Sequence, residues 1–298
     1  MNFPYRAQSF RWSTLTFIAA TLFTSSLQAN AACLSDEQVL NLHKNIMAAT
    51  PAETMEGLSD EDGACTRRKL HQLMLARYGA VVGYKAGLTN PAVQKRFNTD
   101  KPVWGRLYQG MLVDSGSTVP AKFAARPLFE SDMLVRISSE RIQQAKTPMD
   151  VLDSIDQIIP FIELPDLVVE TPQKLNGSAI AAINVGARLG VKGEPLPVPT
   201  SSNERQALLG ALRDMKVIVS DGSQAPLNVT PGSAILEHPL NAVLWLVQAL
   251  ASEGLQLKPG ELVSLGSFSP LMPPKPSQQI TVTYEGLPGS RPVVVNFR

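Results

Sequence analysis

Glu130 and Asp132, one residue apart in Phe-Glu-Ser-Asp-Met-Leu-Val, are the side chains of this sequence best placed to do chemistry together. On a strand, residues i and i+2 project from one face, a few ångströms apart. Their flanks are apolar, with Pro127-Leu128-Phe129 before and Met133-Leu134-Val135 after. Like charges held so close in such a segment repel each other and lose hydration. A divalent cation relieves both penalties, and Mg²⁺ and Mn²⁺ prefer oxygen ligands. A third acid, Glu163, stands in Ile-Pro-Phe-Ile-Glu-Leu-Pro-Asp, again inside an apolar, strand-like run. The competing reading is two strand ends carrying solvated acids, and spacing alone does not separate the two. Lys85, with a glycine two residues to either side in Gly-Tyr-Lys-Ala-Gly, is a further candidate, because an apolar strand is a poor setting for an ordinary surface lysine. Asn184 and His238 complete the polar candidates.

The elements that must position these residues can be read from periodicity and caps. Ser35 with Gln38 forms a capping box that opens a helix with Val39, Leu42 and Ile46 on one face. Ser59 with Asp62 opens a second, with Leu70, Leu73, Met74 and Arg77 at helical spacing. His43 and His71 lie on these helices without metal-ligand spacing. Residues 80–89 read as the strand carrying Lys85, and Asn90-Pro91 as the start of a short helix to about Phe97. A strand over 118–120 precedes the acid-bearing strand over 128–137. Thr147-Pro148 opens a helix expected to run to about Ile158 and into the Glu163 segment. A small-residue helix over 175–183 leads to Asn184, and 201–214 is amphipathic and helix-compatible. Residues 215–219 read as strand and Asp221-Gly222 as turn. His238-Pro239 starts a helix with Val243, Leu246, Val247 and Leu250 inward, ended by Gly254. Strands at about 261–266, 278–285 and 291–297 close the chain. Strands with irregularly interspersed helices define an α+β class.

The first residues set the compartment. Arg6 and Arg11 precede an apolar stretch from about Thr14 to Leu27, followed by the small-x-small pattern Ala29-Asn30-Ala31. This is the order of a signal peptide over residues 1–31, with an apolar region too short to span a membrane. The expected location is periplasmic or secreted. A lipid anchor on Cys33 is the lesser alternative, because Asn30-Ala31-Ala32 lacks the aliphatic residue of a lipobox. Removing Arg6 and Arg11 lowers the formal charge of +1 by two, and a near-neutral chain without a basic run gives no support for nucleic-acid binding. No other run approaches transmembrane length. Cys33 and Cys65 then meet an oxidising environment, where one disulfide is the simplest outcome. It would close a loop of about 30 residues, worth roughly 3–4 kcal/mol. The organisation expected is a signal peptide over 1–31, a helical segment over 32–79, and a site-bearing domain over 80–298 packed with that segment as one unit. Oligomeric state stays open, with a homo-oligomer among the options.

Several segments in order carry a family resemblance. They are Val-Gly-Tyr-Lys-Ala-Gly-Leu-Thr-Asn-Pro-Ala-Val-Gln (82–94), Glu-Ser-Asp (130–132), Pro-Phe-Ile-Glu (160–163), Asn184, His-Pro-Leu-Asn-Ala-Val-Leu-Trp-Leu (238–246) and Leu-Gly-Ser (265–267). Together they resemble the 2-keto-4-pentenoate hydratase and 4-oxalocrotonate decarboxylase branch of the fumarylacetoacetate hydrolase superfamily, over about residues 80–285. The resemblance implies a mixed β-sandwich roll and a Mg²⁺ or Mn²⁺ ion held by Glu130, Asp132 and Glu163. It also implies a small 2-oxo or 2-hydroxydienoate acid as substrate, processed through a metal-stabilised enolate. Lys85 matches the lysine of the family's Gly-x-Lys-x-Gly-Leu-Thr stretch, where it pairs with the substrate carboxylate or assists proton transfer. Asn184 becomes a contact to substrate or to a ligand, and Ser267 a hydroxyl near the substrate. His238 reads first as capping or packing, second as catalytic.

The departures are as informative. Asp132 is one methylene shorter than the family's glutamate, and the late Thr-Gly appears as Leu265-Gly266. The His-Glu dyad of carbon–carbon bond hydrolases has no counterpart, which favours hydration or decarboxylation. Export is unexpected for a cytoplasmic catabolic family. An exported small-acid binding protein without catalysis, and a 2-oxo acid decarboxylase or tautomerase, therefore stand as alternatives to the hydratase.

Overall fold

The computed structural model describes residues 33–298, with Met1, Asn2 and Pro4. The expected signal peptide and its cleavage site lie outside the described residues, those three positions apart. The chain opens with α1 (Asp36–Ala48) and α2 (Asp60–Tyr78), each started by the capping box that the sequence announces. Then come β1 (Val81–Gly87), α3 (Pro91–Arg96), β2 (Val103–Tyr108), β3 (Leu112–Asp114), β4 (Thr118–Val119) and β5 (Glu130–Ile137). Next are α4 (Pro148–Leu152), β6 (Ile155–Leu164), α5 (Gly177–Ala182), β7 (Leu189–Lys192), β8 (Leu196–Pro197) and α6 (Ser202–Asp214). Finally β9 (Lys216–Ser220), β10 (Asn228–Pro231), α7 (Asn241–Ser252), β11 (Leu262–Ser264), β12 (Gln279–Glu285) and β13 (Val293–Phe297) complete the chain.

The strands form two mixed sheets. The larger runs β2-β1-β11-β5-β6-β7-β3, with β8 attached to β6, and the smaller β10-β9-β12-β13-β4. One face of each sheet is buried against the other. Met133, Val135, Ile137 and Ile162 from the first meet Val217, Val219, Ile280, Val282 and Val295 from the second. Val243, Leu246 and Leu250 of α7 join that core, as the helical periodicity foresees. A second apolar cluster seats the helices: Val39, Leu42 and Ile46 of α1 with Leu70 and Met74 of α2, against Ile180 and Ala182 of α5. The fold is α+β, as the order of elements predicts.

Two boundaries differ from expectation. The helix opened by Thr147 ends at Leu152, and β6 already begins at Ile155. The apolar run Ile155 to Ile162 is compatible with either state by pattern. Its β-branched residues and its pairing with the whole of β5 favour the extended form. α7 starts at Asn241, three residues after His238. The structure also shows the Cys33–Cys65 disulfide, with Cα atoms 5.6 Å apart, tying the chain before α1 to α2. Among the described residues no helix is long and apolar enough to cross a membrane.

Candidate active site

Register fixes the chemically loaded face of the larger sheet. Glu130 lies opposite Glu163 across β5 and β6, and Asp132 opposite Phe161. Opposed residues of an antiparallel pair share a face, so the three acids project together. Lys85 is level with Ser264 on β11, and Ser264 with Leu134 on β5, two residues beyond Asp132. Alternation therefore places Lys85 and Ser264 on that face too. Beside the acids, Leu107, Leu134, Ile159 and Phe161 make a small apolar cluster that keeps the local dielectric low.

Each charged group has a definite setting. Lys85 forms a buried ion pair with Glu163, and its Nζ also donates to the Val185 carbonyl at 2.9 Å. The second carboxylate oxygen of Glu163, Oε2, is buried and has no hydrogen-bond partner among the described residues. Asp132 is fully buried: Oδ2 accepts from Ser264 Oγ at 2.5 Å, while Oδ1 accepts from Met133 N–H at 2.6 Å and Gly266 N–H at 3.1 Å. Behind the sheet, the hydroxyl of Tyr284 on β12 donates to the Asp132 carbonyl and accepts from Phe161 N–H at 3.1 Å. It thus sits at the rung of the β5–β6 ladder from which Asp132 projects.

Three carboxylates with a single ammonium leave uncompensated charge. Burial, then the charge of Glu163, pushes the Glu130 carboxyl well above its ordinary range, with Lys85 opposing. Burial, then Glu163, pushes Asp132 up to about 8, although the bonds from Ser264 and Met133 pull it down. Acids held in this way favour a proton or a cation.

A cavity of about 370 Å³ opens over this face. Lys85, Glu130, Thr89 and Ser267 supply polar wall, Arg96 stands in its lining, and Leu88, Val93, Phe97, Leu167, Ile180 and Val185 supply apolar wall. Such a mix, mostly apolar with a few convergent polar groups, is what small-molecule sites present.

The expected site residues are distributed unevenly. Lys85, Glu130, Asp132 and Glu163 come together, and Ser267 lines the cavity, with its hydroxyl donating to the Ser269 carbonyl at 2.6 Å. Asn184 does not line the cavity. Its amide is committed to the backbone of Arg106, with Oδ1 accepting from N–H at 2.7 Å and Nδ2 donating to the carbonyl at 3.0 Å. Both ends of the Asn184 side-chain amide are engaged by that clamp. His238 caps the turn before α7: Nδ1 accepts from Leu240 N–H at 3.2 Å, which leaves Nε2–H to donate to the Leu209 carbonyl at 3.1 Å. It too lies outside the cavity lining, and burial lowers its pKa.

Sequence reasoning missed four contributors. Ser264 and Tyr284 carried no signal because their partners are remote in sequence. Val185 acts through its carbonyl, which side-chain type does not encode. Thr89 lay inside the quoted Gly-Leu-Thr, yet only its buried, unpartnered hydroxyl in the cavity wall marks it as a site residue.

The acids suit a hard divalent cation in donor chemistry: all are oxygen donors, and one, Glu163 Oε2, is buried without a partner among the described residues. Among the described residues no three such groups are drawn round one point. Lys85 occupies Glu163 Oε1, and Ser264, Met133 and Gly266 hold Asp132 in the sheet.

No protein-family model matches the chain. Curated relatives do. The chain is 28% identical over 264 residues to 2-keto-4-pentenoate hydratase 1 of Dechloromonas aromatica (strain RCB), covering 87% of this chain and 97% of the relative. It is 27% identical over 232 residues to the 2-oxo-hept-4-ene-1,7-dioate hydratase of Escherichia coli, covering 75% and 82% respectively. Among solved structures, 4-oxalocrotonate decarboxylase from Pseudomonas putida G7, complexed with magnesium and adipate, superposes with a TM-score of 0.74 at 23% identity. That match covers 90% of this chain and all of the other. Fumarylpyruvate hydrolase from Pseudomonas aeruginosa, in complex with Mn²⁺ and pyruvate, gives 0.51 at 13% identity, over 72% and 88%. These structural likenesses bear out the expected fold.

Proposed function

We propose that this chain, which belongs to the 2-keto-4-pentenoate hydratase branch of the fumarylacetoacetate hydrolase superfamily, is a hydro-lyase that adds water to a small 2-hydroxydienoate or 2-oxo acid with the aid of a divalent cation. The observation that carries the reading is the placement of Glu130, Asp132 and Glu163 on one face beside Lys85, with Asp132 and Glu163 buried and Glu130 at the cavity wall. The curated hydratase relatives support the reaction class, and the magnesium and Mn²⁺ complexes of the structural neighbours support Mg²⁺ or Mn²⁺. When bound, such a cation supplies Lewis-acid polarisation of the substrate's oxo group.

The chain's own residues do the rest. Glu130, Asp132 and Glu163 would hold the cation, with Ser264 Oγ and Gly266 N–H orienting the Asp132 carboxylate. An ammonium has three N–H donors. Glu163 and Val185 take two from Lys85, leaving one for the cavity that Lys85 lines. It serves to grip the substrate carboxylate or to move the proton at C3. Thr89 Oγ1 offers a second polar contact, and the apolar wall from Leu88 to Val185 accepts the hydrocarbon part and limits bulk water. The test is incubation of purified, Mg²⁺- or Mn²⁺-loaded protein with 2-hydroxypenta-2,4-dienoate while following dienol absorbance and product mass. Loss of absorbance with a gain of one water is expected; no loss above a metal-only control overturns the hydratase reading.

The hydrogen bonds that tie down the shortened Asp132 favour one second reading, a binding protein that retains a small acid without turning it over. It predicts thermal stabilisation by 2-oxo acids without turnover, and any measurable turnover removes it. Loss of CO₂ in the same assay would instead assign a decarboxylase. We also propose that the chain works in the periplasm or outside the cell, supported by the charge-apolar-small order of residues 1–31 and by the Cys33–Cys65 disulfide. Mass spectrometry of the chain recovered from an exporting cell should show a mature terminus near Ala32, and an intact Met1 in the cytoplasm contradicts it.

A further inference from the structure

Asn184, Val185 and Gly186 form three consecutive left-handed residues, with φ of 55°, 55° and 65°. Asparagine and glycine tolerate that region, but a β-branched valine there is a genuine outlier. Conformations of this kind persist where the surroundings over-determine them, and they cluster at functional sites. Here the surroundings act from three sides. The Asn184 amide clamps both backbone groups of Arg106 on β2. The Gly186 carbonyl accepts from Asp166 N–H at 2.9 Å, just past β6 and Glu163. The flanking strands leave room for close approach: a Cβ at Gly105 would lie 2.5 Å from the Asn184 carbonyl oxygen, and one at Gly87 would overlap Val185 Cγ1. What this arrangement delivers is one carbonyl, that of Val185, to Lys85 Nζ.

We infer that the Asn184–Gly186 arch is the positioning element for Lys85, with Asn184 as its positioning residue. A lysine ammonium rides on a flexible four-carbon stem, and a single carboxylate leaves it free to swing. Two fixed acceptors on different elements, Glu163 on β6 and the Val185 carbonyl on the arch, define its place and turn the remaining donor to the cavity. The glycine on β1 two residues after Lys85 is explained by the same contact, because Gly87 is where the arch crosses the lysine strand. The inference rests on the reading of Lys85 as the working cation of the site.

The test uses acetylation of Lys85 by acetic anhydride, mapped by mass spectrometry and normalised to the exposed Lys174 and Lys216, together with turnover and KM. All measurements are made at a temperature where each variant is fully folded by circular dichroism. In Asn184→Ala, acetylation of Lys85 should rise about fivefold or more as the arch opens locally. Turnover should fall about tenfold or more, with KM changed about threefold at most, as expected for a displaced catalytic group. Val185→Gly removes a side chain but suits the left-handed backbone and keeps the carbonyl, so Lys85 should stay as protected as in the wild type. Should Asn184→Ala not fold, Asn184→Asp, which keeps the acceptor for Arg106 N–H but sets a carboxylate oxygen against the Arg106 carbonyl, carries the same expectation. Unchanged Lys85 acetylation and turnover in the Asn184 variant, or equal loosening by Val185→Gly, overturns the inference. The acetylation readout needs no substrate. A wild type without turnover but with Lys85 protected in this pattern overturns the hydratase reading and supports the arch.

Discussion

At the residue scale the site is a problem of charge. Three carboxylates and one ammonium share one face, and among the described residues Glu163 Oε2 has no hydrogen-bond partner. The consequence for stability has a definite sign. Asp132 titrates near 8 in the fold, and Glu130 is also raised, whereas an unfolded carboxyl titrates near 4. The unfolded chain therefore releases these protons at lower pH, and stability is fully present below about 4 and lost as pH rises through about 8. Metal-free protein should show a melting temperature that falls between pH 5 and 8, and saturating Mg²⁺ or Mn²⁺ should suppress most of the fall. Thermal melts across that range, with and without metal, check it; a metal-free melting temperature that rises to pH 8 contradicts it. Glu130, Asp132, Glu163 and Lys85 were legible in the sequence, because spacing on a strand and an apolar setting are written in side-chain types. The commitment of Asn184 to Arg106 was not, since it depends on a left-handed turn that brings together residues 78 positions apart.

At the element scale the decisive unit is the β5–β6 pair. It sets Glu130 against Glu163 and receives the Tyr284 hydroxyl two pairs along, at the Asp132–Phe161 rung. Deleting that hydroxyl leaves a buried N–H and a buried carbonyl to re-pair across the strands, a loss of about 1–3 kcal/mol. Tyr284→Phe should lower stability by that amount in urea melts and, because the rung carries Asp132, weaken Mn²⁺ binding as well. A variant as stable as wild type would show that the ladder closes without help. The strand itself was partly hidden. Thr147-Pro148 signals a helix start, and a helix does form, but nothing local marks its end at Leu152. Pairing with β5 decides that boundary, and pairing is a long-range property. Capping boxes at Ser35 and Ser59 and the apolar stripe of α7 were legible for the opposite reason, being local.

At the scale of the whole molecule, α1 and α2 cover the sheet through an apolar cluster that includes Leu42, Leu70 and Met74, and the Cys33–Cys65 bond fastens the start of that layer. With the cysteines 32 positions apart, the closed loop accounts for roughly 3–4 kcal/mol. Cys65→Ser should lower the denaturation midpoint accordingly under oxidising conditions, and reduction should lower wild type to the same level; a wild type indifferent to reductant contradicts this. The α+β class was legible in the order of elements, whereas the pairing of strands distant in sequence, such as β1 with β11, was not. The central claim, that the buried acids form a cation site, is tested most directly by isothermal titration of Mn²⁺ into wild type and Glu163→Gln. The expected result is one ion per wild-type chain and binding at least about tenfold weaker in the variant, because a charged oxygen ligand of a hard cation is lost. Equal affinity in the two proteins would contradict it.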